Sequence, residues 1–248
     1  MIEVQNVSKT YARGSVKAVD NLNVSIPGGM IFGFLGPNGA GKTTTIRMIT
    51  GSLRPDTGTI LVNGYDIHSQ PLEAKRQFGY VPDNPELFSK LKAYEYLNFL
   101  ADIYGIDTLT RTERIEFYAS LFEIKDVLHG SISSFSHGMK QKLFLIGSLI
   151  HDPDIWILDE PMVGLDPVAA FKLKELMRQR AQNGKTVFFS THVMEVAEKL
   201  CDRLAIINKG QLVFIGSLEE LKAFQKSDTG SLEQLFLQLV DSDNGGAS

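Results

Sequence analysis

The chain has 248 residues, 43% of them hydrophobic, with 22 Gly and 9 Pro, enough for one large domain or two small lobes with a real core. Its formal charge of −4, with Lys and Arg spread along the chain, argues against a partner held by phosphate neutralisation, and no nucleic acid is expected. A single cysteine, Cys201, excludes an intramolecular disulfide framework, no signal-peptide pattern opens the chain, and the apolar runs fall short of the ~20 residues of a membrane-spanning helix, so a cytoplasmic setting is expected.

MIEVQNVSKTYA and NLNVSI read as short strands, the second closed by Pro27-Gly28-Gly29. MIFGFLG, residues 30–36, is continuously apolar and predicts a central strand buried on both faces; it runs into GPNGAGKTTT and a helix ending near Gly51. TILVNGYDI predicts a hairpin turning at Asn63-Gly64, and FGYV, DIWILDE, KTVFFST and the RLAIINKGQLVFIG hairpin supply further strands.

Residues 84–150 read as helices. LKAYEYLNFLADIYG places Leu97, Leu100, Ala101 and Tyr104 on one face and stops at Gly105; Thr110 with Glu113 predicts a capping box for a second helix striped by Ile115, Tyr118, Ala119 and Phe122; a third runs from Ser136 to before His151-Asp152-Pro153. Two short segments follow, with capping-box pairs Ser217/Glu220 and Ser231/Gln234 and, in the second, a stripe of Leu232, Leu235, Phe236 and Leu239. The expected fold class is α/β, a core interrupted by an all-helical insertion of roughly 65 residues, with strand order open and residues 241–248 disordered.

GPNGAGKTT, residues 36–44, satisfies G-x-x-x-x-G-K-[ST] between a predicted strand and helix, the setting of a phosphate loop. Its backbone N–H groups can face phosphates, Lys42 can reach the β- and γ-phosphates, and the Thr43 hydroxyl can bind Mg²⁺. DIWILDEP ends an apolar strand on two carboxylates: Asp159 is placed to hold a Mg²⁺-bound water and Glu160 to orient or deprotonate an attacking water, the alternative being a cap on the next helix. His192 follows a strand at its carboxyl end, where open α/β sheets bind ligands. FSHGMKQ begins a helix in the manner of an anion site, Ser136 being at the least an N-cap.

In chain order, GPNGAGKTT, FSHGMKQ, IWILDEP, GLDP and the histidine of STH resemble the ATP-binding subunits of ABC transporters, over nearly the whole chain to about residue 240. The resemblance implies a P-loop NTPase core, a RecA-like sheet with a flanking β-subdomain, formed by 1–83 and 151–215, with a helical signature subdomain at 84–150 and a short helical extension at 216–240. It implies ATP and Mg²⁺ as cofactors, with Gly36, Asn38, Gly39, Ala40, Gly41, Lys42, Thr43 and Thr44 cradling the phosphates and His192 touching the γ-phosphate. Two cassettes would dimerise head to tail, so that Ser136 and Gly138 of one meet the nucleotide of the other and Asp166 of GLDP crosses the interface. Tyr11 fits the aromatic that stacks on adenine, although a lone Tyr is usually a packing residue.

Two features depart from the family pattern. The usual signature is LSGGQ, whereas here Phe135, His137 and Met139 replace its Leu, first Gly and Gln; and GYVPD carries Asp83 where the family commonly has Gln, a carboxylate that can also ligand Mg²⁺. The tail and the CDRLAIINKGQLVFIGSLEEL run resemble the bacterial exporter branch, with an importer ATPase or a soluble ABC ATPase acting on a protein or nucleic-acid assembly as alternatives. The implied partners are a second ATP-binding subunit and integral membrane permease subunits on separate chains, which would hold the cassette peripherally on the inner face of the membrane. Residues Pro85 to Phe88 and Tyr94 are then expected to line a groove for a short helix of the permease.

Overall fold

A computed structural model describes residues 1–11, 16–83, 90–224, 232–234, 236 and 237. Alternating sequences near the start pair antiparallel: β1 (Ile2–Tyr11), β2 (Val16–Ile26), β4 (Thr57–Val62) and β5 (Tyr65–Asp66) form a sheet in the order β2-β1-β4-β5. One face is buried, by Ile2, Val4 and Val7 of β1 and Ile60 and Val62 of β4, as expected of a half-solvated antiparallel sheet. β1 and β2 are longer than the short strands that their patterning predicts. The Asn63-Gly64 turn has φ of 48° and 83°, positive at both central residues as a type I′ hairpin requires.

The continuous apolar runs form the second sheet. β3 (Ile31–Leu35), β6 (Phe78–Val81), β7 (Ile155–Asp159), β8 (Thr186–Thr191), β9 (Arg203–Asn208) and β10 (Gln211–Gly216) lie in the order β10-β9-β3-β8-β7-β6, parallel except for the β9–β10 hairpin. Alternate residues serve two layers: Ile155 and Ile157 of β7 pack with Phe32, Phe34, Ile46 and the inner face of the antiparallel sheet, while Trp156 and Leu158 pack with helices on the other side. That is why β3, β7 and β8 are buried throughout.

Helices α1 (Lys42–Ile49) and α2 (Pro71–Arg76) precede the helical stretch, which holds α3 (Ala93–Ile103), α4 (Thr108–Leu121) and α5 (His137–Leu149), with 3₁₀ turns at Lys125–Val127 and Ile132–Ser134. Leu97, Ala101, Ile115, Tyr118, Ala119 and Phe122 are buried on the expected stripes. The start of α4 differs from expectation. Asp107, not Thr110, is the N-cap, and its carboxylate accepts the Thr110 N–H at 3.0 Å, so Thr110 is the third helical residue rather than the cap.

After β7 come α6 (Pro167–Gln182) and, beyond β8, α7 (Met194–Leu200). Helix α8 (Leu218–Phe224) has the expected reciprocal cap: the Glu220 carboxylate accepts from Ser217 N–H at 2.7 Å, and the Ser217 hydroxyl accepts from Glu220 N–H at 3.1 Å. Leu232 and Phe236 are buried against Leu221 and Met194; Ser231, Leu235, Leu239 and residues 241–248 lie outside the described residues. The Cys201 thiol lies against Gly33, and burial pushes its pKa up, which keeps it a small inert hydrophobe.

His151, at the end of α5, is stacked flat on Tyr104 with ring centroids 3.6 Å apart, and its Nε2 lies 3.2 Å from the Phe78 carbonyl. Burial lowers its pKa from 6.5 to about 4. The unfolded chain therefore takes up a proton that the native state refuses, so stability is lost as pH falls from about 6.5 towards 4. Urea midpoints should show on the order of 1–2 kcal/mol lost between pH 7 and pH 5 through this group. A His151→Phe variant should lack that component, and an undiminished pH slope in it would contradict the assignment.

Candidate active site

Four of the parallel strands, β3, β6, β7 and β8, end at one edge of the sheet, so their carboxyl ends carry the phosphate loop, Asp83, the Asp159-Glu160 pair and His192 to the same place. The loop leaves β3 and turns into α1. Gly41 has φ 112°, and a Cβ there would lie 2.5 Å from the Ala18 carbonyl, so the loop tolerates only glycine at this point. Ala40 is locked by its N–H to Pro37 O at 3.2 Å and by accepting from Gly210 N–H at 2.9 Å. Ala18, Asn38, Gly39, Gly41, Lys42, Thr43, Thr44, Asp83 and Glu160 line a cleft of about 180 Å³.

Lys42 is buried, with Nζ donating to Gly36 O at 2.8 Å and Pro37 O at 3.3 Å. It also lies 3.4 Å from Glu160 Oε1, which is in turn 3.1 Å from His192 Nδ1. These are ion-pair distances without hydrogen-bond geometry, since Glu160 Oε1 accepts no hydrogen bond among the described residues. Glu160 has φ 49°, a left-handed backbone at the mouth of the sheet, and such conformations in non-glycine residues cost on the order of 1–3 kcal/mol and cluster at functional sites. Asp159 is fully buried. Burial raises its pKa against the pull of the Ser190 and Thr43 hydroxyls, while the charges of Asp83 and Glu160 add to the rise. Its Oδ1 accepts from Ser190 Oγ at 2.6 Å, and its Oδ2 has no hydrogen-bond partner.

FSHGMKQ lies elsewhere. The Ser136 hydroxyl caps α5 by accepting from Met139 N–H at 3.2 Å, and Ser136 and His137 are exposed. Gly138 is half-buried, and a Cβ there would stand 2.6 Å from Gly164 O, so glycine lets α5 approach the GLDP loop. Lys142 Nζ binds Asp166 Oδ2 at 2.8 Å, and Asp166 caps α6 by accepting from Ala169 N–H at 2.8 Å. The Lys142 ammonium and that N–H hold the Asp166 carboxyl at about 2. Gln141, almost wholly buried, donates to Pro161 O at 3.4 Å, one residue beyond Glu160. No residue of α5 lines the phosphate-loop cleft.

The ABC transporter family model matches residues 19–163. The chain belongs to the ABC transporter family. The cassette is 37% identical over 231 residues to the ABC transporter ATP-binding protein NatA of Bacillus subtilis (strain 168), covering 92% of this chain and 94% of that protein. It is also 37% identical over 233 residues to the linearmycin resistance ATP-binding protein LnrL of the same organism, covering 92% and 73%. A solved ATP-binding subunit of an ABC transporter superposes with a TM-score of 0.91 at 31% identity, covering 96% and 99%. The cassette is thus an ATP-hydrolysing, P-loop ATP-binding subunit of a transporter.

Of the sequence-predicted site residues, the cassette gathers Asn38, Gly39, Gly41, Lys42, Thr43, Thr44, Asp83 and Glu160 on one cleft, with Asp159 and His192 adjoining through Thr43 and Glu160. Ser136, Gly138 and Asp166 form a second group, joined by the Gly138–Gly164 approach and the Lys142–Asp166 pair. Tyr11 ends β1 with its ring exposed, opposite Val16. Pro85 to Phe88 lie outside the described residues, and Tyr94 is half-buried against His129 at 5.7 Å. Ser190, Gln141 and Lys142 are parts of the site that local sequence pattern does not mark.

The donor set suits Mg²⁺. Thr43, Asp159 and Asp83 offer only hard oxygen, and the partnerless buried Oδ2 of Asp159 is an oxygen short of a ligand. Among the described residues no group of three or more His, Cys, Asp or Glu could form a metal site by itself.

Proposed function

We propose that this cassette binds ATP in the phosphate-loop cleft, closes on it with the signature helix of a second ATP-binding subunit, and drives export through membrane subunits on separate chains. The observation that carries the reading is separation: the exposed amino end of α5 supplies nothing to its own chain's cleft. A helix start whose Ser and first-turn N–H groups face outward favours an anion, and dimerisation on ATP is typical of the family.

Residues 1–83 with 151–215 serve as the nucleotide-binding core, 84–150 as the signature subdomain and 216–240 as an extension. Tyr11 stacks on adenine, and Gly36 to Thr44 with Lys42 hold the phosphates. Glu160 takes a proton from the water whose oxygen attacks the γ-phosphorus as the bond to the leaving ADP oxygen breaks. His192 holds the Glu160 carboxylate and the γ-phosphate. Mg²⁺, when bound by Thr43, Asp159 and Asp83, supplies charge neutralisation at the phosphates.

Likeness to a linearmycin resistance protein supports the outward direction. Among the described residues no helix is long and apolar enough to cross a membrane. A tagged cassette purified from detergent-solubilised membranes should bring down an integral membrane protein in stoichiometric amount. Recovery only with ribosomes or a DNA complex would contradict the transport reading.

A further inference from the structure

The geometry points to Ser190 as a positioning residue for ATP hydrolysis, its single hydroxyl fixing both acidic residues at the end of β7. Ser190 is fully buried on β8 and stands opposite Asp159 in the last β7–β8 pair. Its Oγ donates to Asp159 Oδ1 at 2.6 Å and accepts from Glu160 N–H at 3.0 Å. A hydroxyl has one proton and two lone pairs, so it can make both bonds at once. No other side chain joins these two residues through one atom among the described residues.

Each bond has a separate consequence. The first occupies Oδ1 and leaves Oδ2 as the Asp159 oxygen without a partner, which selects the oxygen free for a further ligand. The second satisfies the N–H of a residue that has left the sheet and entered the left-handed region at φ 49°. There the ladder offers that N–H nothing, since β7 ends at Asp159, and a buried N–H without an acceptor is costly. The Glu160 carboxylate hangs from this backbone, so Ser190 sets where the carboxylate stands relative to Lys42 and His192. Ser190, fully buried and with its hydroxyl engaged by both bonds, acts through Asp159 and Glu160.

The inference rests on the reading of Glu160 as general base, and the experiment separates the two. Ser190→Ala removes the hydroxyl, Ser190→Cys keeps its size but replaces it with a weak donor and acceptor, and Ser190→Thr restores it. In the purified full-length chain, Ala and Cys should lower kcat by roughly 10- to 100-fold, the scale of a misplaced reacting group. The KM for ATP should stay within about threefold, and the Kd for a fluorescent ATP analogue, measured in EDTA, should be unchanged. Thr should recover most of the lost kcat.

A kcat within about twofold of the parent in the Ala and Cys variants, alongside a slow Glu160→Gln, overturns the role of Ser190 and leaves Glu160 intact. Equal losses in kcat and in EDTA affinity, or no recovery with Thr in a variant that melts like the parent, also overturn it, because those are marks of general damage. If Ala alone fails to fold, the Cys and Thr pair decides by the same comparison. Normal turnover in Glu160→Gln would instead remove the reading beneath it.

Discussion

Glu160→Gln should leave ATP bound and slow its hydrolysis by roughly 10²-fold or more, the loss that follows removal of a general base. Gln fills the same volume and bears the same left-handed backbone, with φ 49° at this position, so the fold has no new reason to fail. What it lacks is a lone pair basic enough to take a proton from water. The half-buried side chain lies 3.1 Å from His192 Nδ1 and 3.4 Å from Lys42 Nζ, and no other carboxylate among the described residues stands between these two groups. The variant should therefore accumulate as an ATP-bound dimer, visible by size exclusion in ATP while phosphate release stalls. Turnover within a few-fold of the parent would take the base role from Glu160 and return it to a helix-capping or ion-pairing residue.

The parts of the molecule that follow from local pattern are those whose burial is two-sided or periodic. MIFGFLG and DIWILDE read as central strands because both faces of β3 and β7 are covered, one by the antiparallel sheet and one by helices. The stripes of α3 and α4 repeat at helical spacing and are buried where expected. Boundaries are less determined. Asp107 and Thr110 are both good caps three residues apart, and the carboxylate wins by accepting the Thr110 N–H. Sheet order is not a local property, and α2, only six residues long, has too few turns to leave a periodic mark. α6 did leave one, in Asp166-Pro167 at its start and Leu173, Leu176, Met177 and Arg180 along its buried side.

At the site, the phosphate loop, the acidic pair and the histidine are recognisable because each sits at a strand end with its own residue types. Ser190 and Gln141 are not, because their meaning lies in partners 30 or 31 and 20 residues away, Glu160, Asp159 and Pro161. A buried Ser in an apolar strand and a Gln on an apolar helix look like compositional noise until the sheet is assembled. Lys142 is similar: only the packing of α5 against the GLDP loop makes it the partner of Asp166. That contact ties α5 to the GLDP loop within one chain, and Ser136 at the start of α5 and Asp166 in that loop are the residues expected to meet the other subunit.

The second large effect is the repair of two defective proteins by each other, and it measures whether one chain's α5 serves another chain's cleft. Lys42→Ala removes the ammonium that lies among the loop carbonyls, and Ser136→Arg places a long cation at the exposed start of α5. Each homodimer then carries two damaged sites, and neither should dimerise on a non-hydrolysable ATP analogue. In a mixed dimer with sites shared between chains, one site combines intact Lys42 with intact Ser136, and the other collects both defects. Analytical ultracentrifugation of the mixture should show an ATP-dependent dimer that neither variant forms alone, weaker than the parent's because only one of its two sites is intact. A mixture no more dimeric than either variant alone, with both folded, would place Ser136 in the service of its own chain and contradict the shared site.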